Sequence, residues 1–551
     1  MDIYVKNKKK QNECPFFKFF FYPFIMREII TLQLGPIANY VGAHFWNTQE
    51  SYDYREESEQ AEFDSNVLYR TGLSISGAET YAPRALVYDL KGGFGSLQKY
   101  NKLYAGMESE IHWDHNIQEI KSNVSAHPYQ QQLNQLDEGI TPKNDASMDL
   151  DETVTNWSDF NRVYYHPRSL NTITTHQVDD PLTPFDTYTS GRQAYIDNEK
   201  VVEIFDNEFR NMLEECDQIQ HGFHLLTGVD DGFGGFAEEL LHDIRDEFNK
   251  IPIFTFGMMM NDCVLGNQSL DHKKKLNRLF STTRLSDLSS IYVPMYTPTK
   301  EAMNASGLST FIQPNYQLLY HTSAILSACI ETATTPYRLK KPLMKMDDLN
   351  ALLNWRRDTK IASISQSLPL PLVKENQTQS LLHTSSSNLL HFSLPTQPTS
   401  SSSQFIDTFG ESIVVRGCDI QQATLINDAC QHFKQENDLL QKRTLIKSGY
   451  PLPDSYPKFF SPHLDKNGFI SPSIQPNQYP THVPILTHMS TTSLIHNTLQ
   501  SQWQNTNGIS YKDYIAYTEG DRGIHYDDYL ETREQIMNIM DVYSDRDDDL
   551  M

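Results

Sequence analysis

The chain has 551 residues, 38% of them hydrophobic and 11% aromatic, and a formal charge of −24. That is longer than one hydrophobic core usually serves, so two domains are expected, with ample apolar material for packed interiors. The acidic balance excludes nonspecific nucleic-acid binding, which needs clustered positive charge, and argues against an anionic membrane surface as a broad partner.

Six cysteines (Cys14, Cys216, Cys263, Cys329, Cys418, Cys430) form no CxxC pair, a pattern that suits buried free thiols in a reducing compartment. No run approaches the roughly eighteen apolar residues of a spanning helix, so any membrane association is expected to be peripheral. In residues 1–25, Lys6, Lys8, Lys9, Lys10 and Lys18 precede and interrupt Phe16-Phe17, Phe19–Tyr22 and Phe24-Ile25. The order is that of a targeting segment, yet the apolar stretch is short, contains Lys18 and Pro23, and lacks a small-residue cleavage site. It is read as an extension, or the product of an upstream start.

Met26–Gln49 reads as strand, loop and helix. Ile29–Leu34 is β-rich, Gly35-Pro36 breaks it, and Ala38, Val41, Phe45 and Trp46 follow at helical spacing. A strand running through a glycine turn into a helix N-terminus presents backbone N–H groups to phosphate. Met26-Arg27-Glu28-Ile29, Gln33, Gly35, Asn39, Gly42 and Phe45-Trp46 resemble the opening strand, phosphate loop and first helix of tubulin. The version here, LQLG followed by ANYVGAHFWN, is similar to the Misato family of tubulin-like proteins.

In Tyr81–Leu97, Ala85–Tyr88 is a second strand ending at Asp89, followed by the loop Gly92-Gly93-Phe94-Gly95. Pro83-Arg84-Ala85 and Asp89-Leu90 match the pattern by which tubulins carry an acidic residue toward nucleotide and magnesium. Where tubulins place a second acid, this chain has Lys91 and glycines. From 105 to 195 the sequence is polar and irregular. His112-Trp113-Asp114-His115 has ligand-type residues, but spacing supplies neither geometry nor outer support for a metal, and a solvated loop or helix start is preferred. Asp145–Glu152 is acidic. Trp157, Phe160, Tyr164-Tyr165 and His166-Pro167-Arg168-Ser169 resemble a Misato segment absent from tubulins and are read as packing.

Regularity returns at Asn198. Val201–Ile219 has helical periodicity, Gly222–Val229 is strand-like, and Asp230-Asp231-Gly232-Phe233-Gly234-Gly235 leads into an amphipathic helix, Phe236–Phe248. Ile251–Phe256 is a further strand, completing a β-loop-α-β unit of a parallel, doubly wound sheet. The unit resembles the glycine-rich signature of tubulins, but Asp230, Asp231 and Phe233 stand among residues that tubulins keep small and neutral. A carboxylate beside a phosphate oxygen costs on the order of 1–3 kcal/mol per charge pair at effective dielectrics of roughly 20–80, unless magnesium bridges the two. In the first loop Pro36 and Ile37 replace the tubulin glutamine and cysteine, and Pro36 has no N–H to donate.

The candidate nucleotide residues are therefore Gln33, Gly35, Asn39, Asp89, Gly232, Gly234 and Gly235, with Asp89 as the metal ligand if Mg–GTP binds. A degraded GTP site, used structurally or left empty, is favoured over an active GTPase, and no cofactor is expected.

Farther on, Ile291–Tyr296 is a strand and Tyr320–Ala333 a helix closing at Thr334-Thr335-Pro336, in a stretch that also resembles Misato proteins. The Ser/Thr/Gln/Asn-rich residues 375–403 cannot bury enough apolar area to offset ordering entropy and read as a linker or loop. Phe405–Arg416 suggests a strand, Asp419–Lys442 a helix, Tyr450–Pro462 an extended segment on a core, and Tyr526–Val542 a last helix before the acidic Asp545–Asp549. No nucleophile elbow, H-E-x-x-H or Walker A pattern occurs.

The resemblance implies an α/β, tubulin-like fold with a mostly parallel doubly wound sheet and a second, smaller α+β domain. The expected limits are an extension over 1–25, a nucleotide-binding-type domain over 26–310, the second domain over 311–374 and 404–530, the linker over 375–403, and a helix end with acidic tail over 531–551. It also implies a cytoplasmic protein at the outer face of mitochondria, an adaptor or assembly factor in their distribution, fusion and inheritance. Its partners would be proteins of that surface, with tubulin or the cytosolic chaperonin as further choices. The alternative is a GTP-binding, polymerising GTPase of the tubulin type.

Overall fold

The structure, a computed structural model, describes residues 27–52, 54, 62–73, 79–97, 126–137, 139–140, 149–214, 216, 221–261, 268–375, 378–381, 389–394, 407–418, 441–471, 479–509 and 511–544. The extension 1–25, the His112-Trp113-Asp114-His115 run, most of the helix expected over Asp419–Lys442 and the acidic Asp545–Asp549 lie outside them, as do Cys14, Cys263 and Cys430.

Six strands form one parallel sheet: β1 (Ile30–Leu34), β2 (Ala85–Lys91), β3 (Leu170–Gln177), β4 (Phe223–Gly228), β5 (Ile253–Met259) and β6 (Ile291–Tyr296). Their spatial order is β3-β2-β1-β4-β5-β6, and every pairing is parallel. Apart from the edge strand β3, where half the positions are exposed, these strands are buried on both faces, as parallel sheets covered by helices are. In β1 the alternation is plain: Ile30, Leu32 and Leu34 enter one core, whereas the preceding Ile29 enters the other.

Helices cover the two faces. One face carries α1 (Pro36–Glu50); the other carries α2 (Tyr188–Val202), α3 (Phe233–Glu247) and α4 (Gln268–Leu288). A fifth helix, α5 (Leu319–Thr334), is buried along its whole length between α1 and a second sheet. That sheet holds β7 (Ser363–Ser367), β8 (Leu390–His391), β9 (Thr408–Arg416), β10 (Gln441–Ile446) and β11 (Ile485–Thr492), in the order β8-β7-β11-β9-β10. Only the β9–β10 pairing is parallel, so this sheet is mixed. The fold is α/β and tubulin-like. No helix among the described residues is long and apolar enough to cross a membrane.

Three expectations change. The helix expected over Val201–Ile219 is instead the end of α2, a reversal at Glu203 (φ 55°), a π-helical turn over Ile204–Phe209 and a short helix over Arg210–Glu214. The break turns Ile204 and Phe209 inward, where Phe209 meets Phe223 at 5.6 Å. Within 375–403, Thr378–Leu381 pairs with Leu372–Glu375, and β8 pairs with β7. Buried Leu389, Leu390 and Phe392 supply the apolar area that the surrounding composition lacks. Lys442 belongs to a strand, because β10 continues the β-sheet beside β9. The helix α4 carries only a sparse apolar pattern; Ser281, Thr282 and Thr283 are buried beside Leu279 and Phe280, so small polar residues hide its contact face.

The two sheets are tied together at a buried charge cluster. Glu331 on α5 accepts from Arg338 Nη2 at 2.7 Å, Arg416 Nη1 on β9 at 2.6 Å and Tyr52 Oη at 2.7 Å. Gln49, at the end of α1, accepts from Arg338 Nη1 at 2.7 Å. Burial by itself pushes the Glu331 carboxyl up; Arg416 and Arg338 outweigh it and hold the group below its usual range.

Candidate functional site

Chain direction across the sheet reverses at β1: β2 and β3 lie on one side of it, β4 to β6 on the other. At such a switch point the loops after the first and fourth strands part, and open α/β sheets hold ligands in that crevice. Here the crevice is lined by Gly35-Pro36 after β1, Asp89 near the end of β2, and the segment Val229–Gly235 that runs from β4 into the first turn of α3.

Asp89 is fully buried and already engaged. Asn39 Nδ2 on α1 donates to its Oδ2 at 2.8 Å, Trp157 Nε1 donates to the same oxygen at 3.3 Å, and the Leu90 N–H donates to Oδ1 at 2.9 Å. Burial raises its pKa to about 6, against the pull of those three donors. Trp157 also donates to Gly93 O at 3.0 Å, so it caps the carboxylate from the loop side. It is placed there by the turn Trp157–Phe160, where Asn156 and Asp159 form a capping box. The rest of this segment wraps α1: Asn47 Nδ2 donates to Phe160 O at 2.9 Å, and the Phe160 ring lies 4.4 Å from that of His44.

The aspartates of the glycine loop are both engaged within the protein. Asp230 accepts from Arg278 Nε at 2.6 Å and from the Met260 N–H at 2.8 Å, which ties the loop to α4 and to the end of β5. Asp231 accepts from the Phe233 N–H at 3.0 Å. The glycines serve close packing. A Cβ on Gly235 would collide with Tyr188 O, and one on Gly234 with Ser281 Oγ; at Gly232 it would lie 2.8 Å from the Phe185 ring. Gly35 has φ 90°, a glycine conformation, and a Cβ there would lie 2.7 Å from Phe233 Cγ. Gln33 is buried against Gly42 of α1, where a Cβ would come within 2.6 Å of Gln33 Nε2, and its side-chain amide has no hydrogen-bond partner among the described residues.

Asn39 and Asp89 are thus directly bonded, Gly35 meets the glycine loop through Phe233, and Gln33 stands apart beneath α1. The residues do not fit a magnesium triphosphate. Pro36 lacks an N–H, the Asp89 carboxylate already accepts three protein donors, and an aromatic ring fills the space above Gly35. Among the described residues no group of three or more His, Cys, Asp or Glu side chains could hold a metal ion. The sequence reading did not find Phe185, Arg278 or the capping role of Trp157, since each acts across more than 40 residues and leaves no local spacing.

The Misato Segment II tubulin-like domain matches residues 27–135, and the tubulin domain matches 146–339. Protein DML1 of Gibberella zeae is 36% identical over 353 residues, covering 62% of this chain and 68% of that protein. The chain belongs to the Misato family. Other relatives extend the match: protein dml1 of Aspergillus clavatus is 38% identical over 57% of this chain, which spans 61% of that relative's length. Protein misato homolog 1 of Mus musculus is 27% identical over 95% of this chain and 98% of its own. As a Misato member the chain has a tubulin-like fold, and the first loop and Asp89 of the crevice lie within the residues matched by the Misato domain.

Asp231 gives this crevice a pH dependence. Burial raises its carboxyl from 3.8 to about 7. The folded state therefore holds a proton that the unfolded chain has already lost, and this contribution to stability falls as pH rises from about 4 to about 7. Asp231→Asn keeps an acceptor for the Phe233 N–H and has no proton to lose. Its melting midpoint relative to wild type is expected to rise between pH 5 and pH 8; an offset independent of pH would refute the assignment.

Proposed function

We propose that this protein is a non-catalytic, tubulin-shaped adaptor or assembly factor acting from the cytoplasm at the outer face of mitochondria, in their distribution, fusion and inheritance, including that of their DNA. It presents a tubulin-like surface to proteins there, with tubulin or the cytosolic chaperonin as further partners. The observation that carries the non-catalytic part is the engagement of the buried Asp89 carboxylate by Asn39, Trp157 and Leu90, with the Phe233 ring packed against Gly35 beside it. Fold by itself does not decide activity. The mitochondrial part follows from the resemblance to Misato proteins.

Two measurements test it. Depletion in the source cell is expected to give unevenly distributed mitochondria, with the tagged chain accessible to protease on isolated organelles; normal mitochondria would remove the organelle role. Titration of the purified chain with a fluorescent GTP analogue and magnesium is expected to show no saturable binding, whereas micromolar binding with turnover would favour a tubulin-type GTPase.

A further inference from the structure

We propose that the Phe233 side chain is an internal ligand of the crevice: it occupies the place between the first loop and the glycine loop where a phosphate would bridge them, and holds both loops closed without nucleotide. This rests on the reading of the crevice as a site that no longer takes magnesium triphosphate. The ring is 1% exposed. It lies against Gly35, whose absent side chain leaves the room it fills, and packs edge-on to Phe185 at 4.9 Å, which in turn meets His176 at 4.9 Å.

Three backbone donors beside the ring are engaged within the protein in the same arrangement. The Gly35 N–H donates to Tyr88 O at 3.1 Å, the Gly232 N–H to Phe185 O at 3.2 Å, and the Phe233 N–H to Asp231 Oδ1 at 3.0 Å. The ring therefore sits between two loops whose Gly35, Gly232 and Phe233 N–H groups already have acceptors in the protein. Its removal leaves a void between the Gly35 backbone and the Phe185 ring, a space that a small aromatic hydrocarbon fits.

The test uses the full chain with Phe233→Ala, and with Gly35→Ala in both the wild-type and Phe233→Ala backgrounds. Phe233→Ala is expected to lower the melting midpoint, saturating toluene to restore part of the loss, and the GTP analogue with magnesium to shift no midpoint. Gly35→Ala is expected to cost markedly less in the Phe233→Ala background, because the clash with the ring is gone while the strain at φ 90° remains. Should Phe233→Ala not fold, Phe233→Leu takes its place in the same cycle and is expected to show the same coupling. An unchanged midpoint in Phe233→Ala, strictly additive costs, or GTP binding by the variant alone would each overturn the proposal. GTP binding by the wild-type chain would instead overturn the proposed function.

Discussion

Glu331→Ala is expected to destabilise the protein by about 3–5 kcal/mol, the range found when one partner of a buried ion pair is removed. The reason is the arithmetic of charge: Arg338 and Arg416 are each within 2.7 Å of this carboxylate, and both are inaccessible to water. Without Glu331 two guanidinium groups remain in the interior with no counter-ion, and neither can shed its proton. Arg416 still has Tyr52 Oη at 2.8 Å and Gly449 O at 3.1 Å, and Arg338 has Gln49 Oε1, so hydrogen bonding survives while neutralisation does not. Glu331→Gln should be nearly as harmful, which separates charge from hydrogen-bond geometry. Urea unfolding followed by circular dichroism reads the effect; a loss under about 1 kcal/mol, the value of a surface pair, would mean that the cluster is solvated in solution. Because Gln49 ends α1 and Tyr52 follows it, Glu331 sits on α5 and Arg416 on β9, the variant should also loosen the second sheet from the first. Faster amide exchange in both β9 and α1 is the expected signature.

Gly191→Val is expected to cost about 3 kcal/mol, the upper part of the usual range for overpacking. Gly191 lies on α2 where that helix crosses the start of α3, and a Cβ would lie 2.5 Å from the Gly232 carbonyl carbon. The obstacle is backbone, so no rotamer change relieves it. The two helices would have to part, carrying with them the Gly232 N–H bond to Phe185 O and hence the ring beneath it. Loss of near-ultraviolet circular dichroism at a lower denaturant concentration than wild type is the expected reading. An unchanged transition would show that α2 does not approach α3 so closely. Gly191→Ala should show the same direction with a smaller amplitude.

Much of the fold was legible. The strand Ile291–Tyr296 and the helix Tyr526–Val542 coincide with their sequence-read limits, and β1, β4 and β5 lie within about two or three residues of theirs. Such elements carry their period in their own residues, because each buries one defined face. Elements whose stability comes from elsewhere were not legible. The helix α4 hides its contact face behind serine and threonine, and the β8 strand is two residues kept in place by pairing with β7.

The same division holds at the crevice. The sequence by itself determined that Gly35, Asp89 and the glycine loop come to one end of a parallel sheet, since strand-loop-helix units can close only that way. It also determined that Pro36 withholds an N–H and that acids and an aromatic stand where small neutral residues are usual. What those residues do was decided by tertiary structure alone. Asp230 reads as a charge facing phosphate, yet Arg278, 48 residues later, takes it as an ion-pair partner. Asp89 reads as a free ligand, yet Trp157, 68 residues later, seals it. Phe233 reads as an intrusion, yet it fills the space that Gly35 leaves open. Local sequence fixes which chemical groups reach the crevice, because it fixes the turns that carry them. Whether a buried group is spent or available depends on what distant segments bring against it, since burial leaves no polar atom or void without consequence.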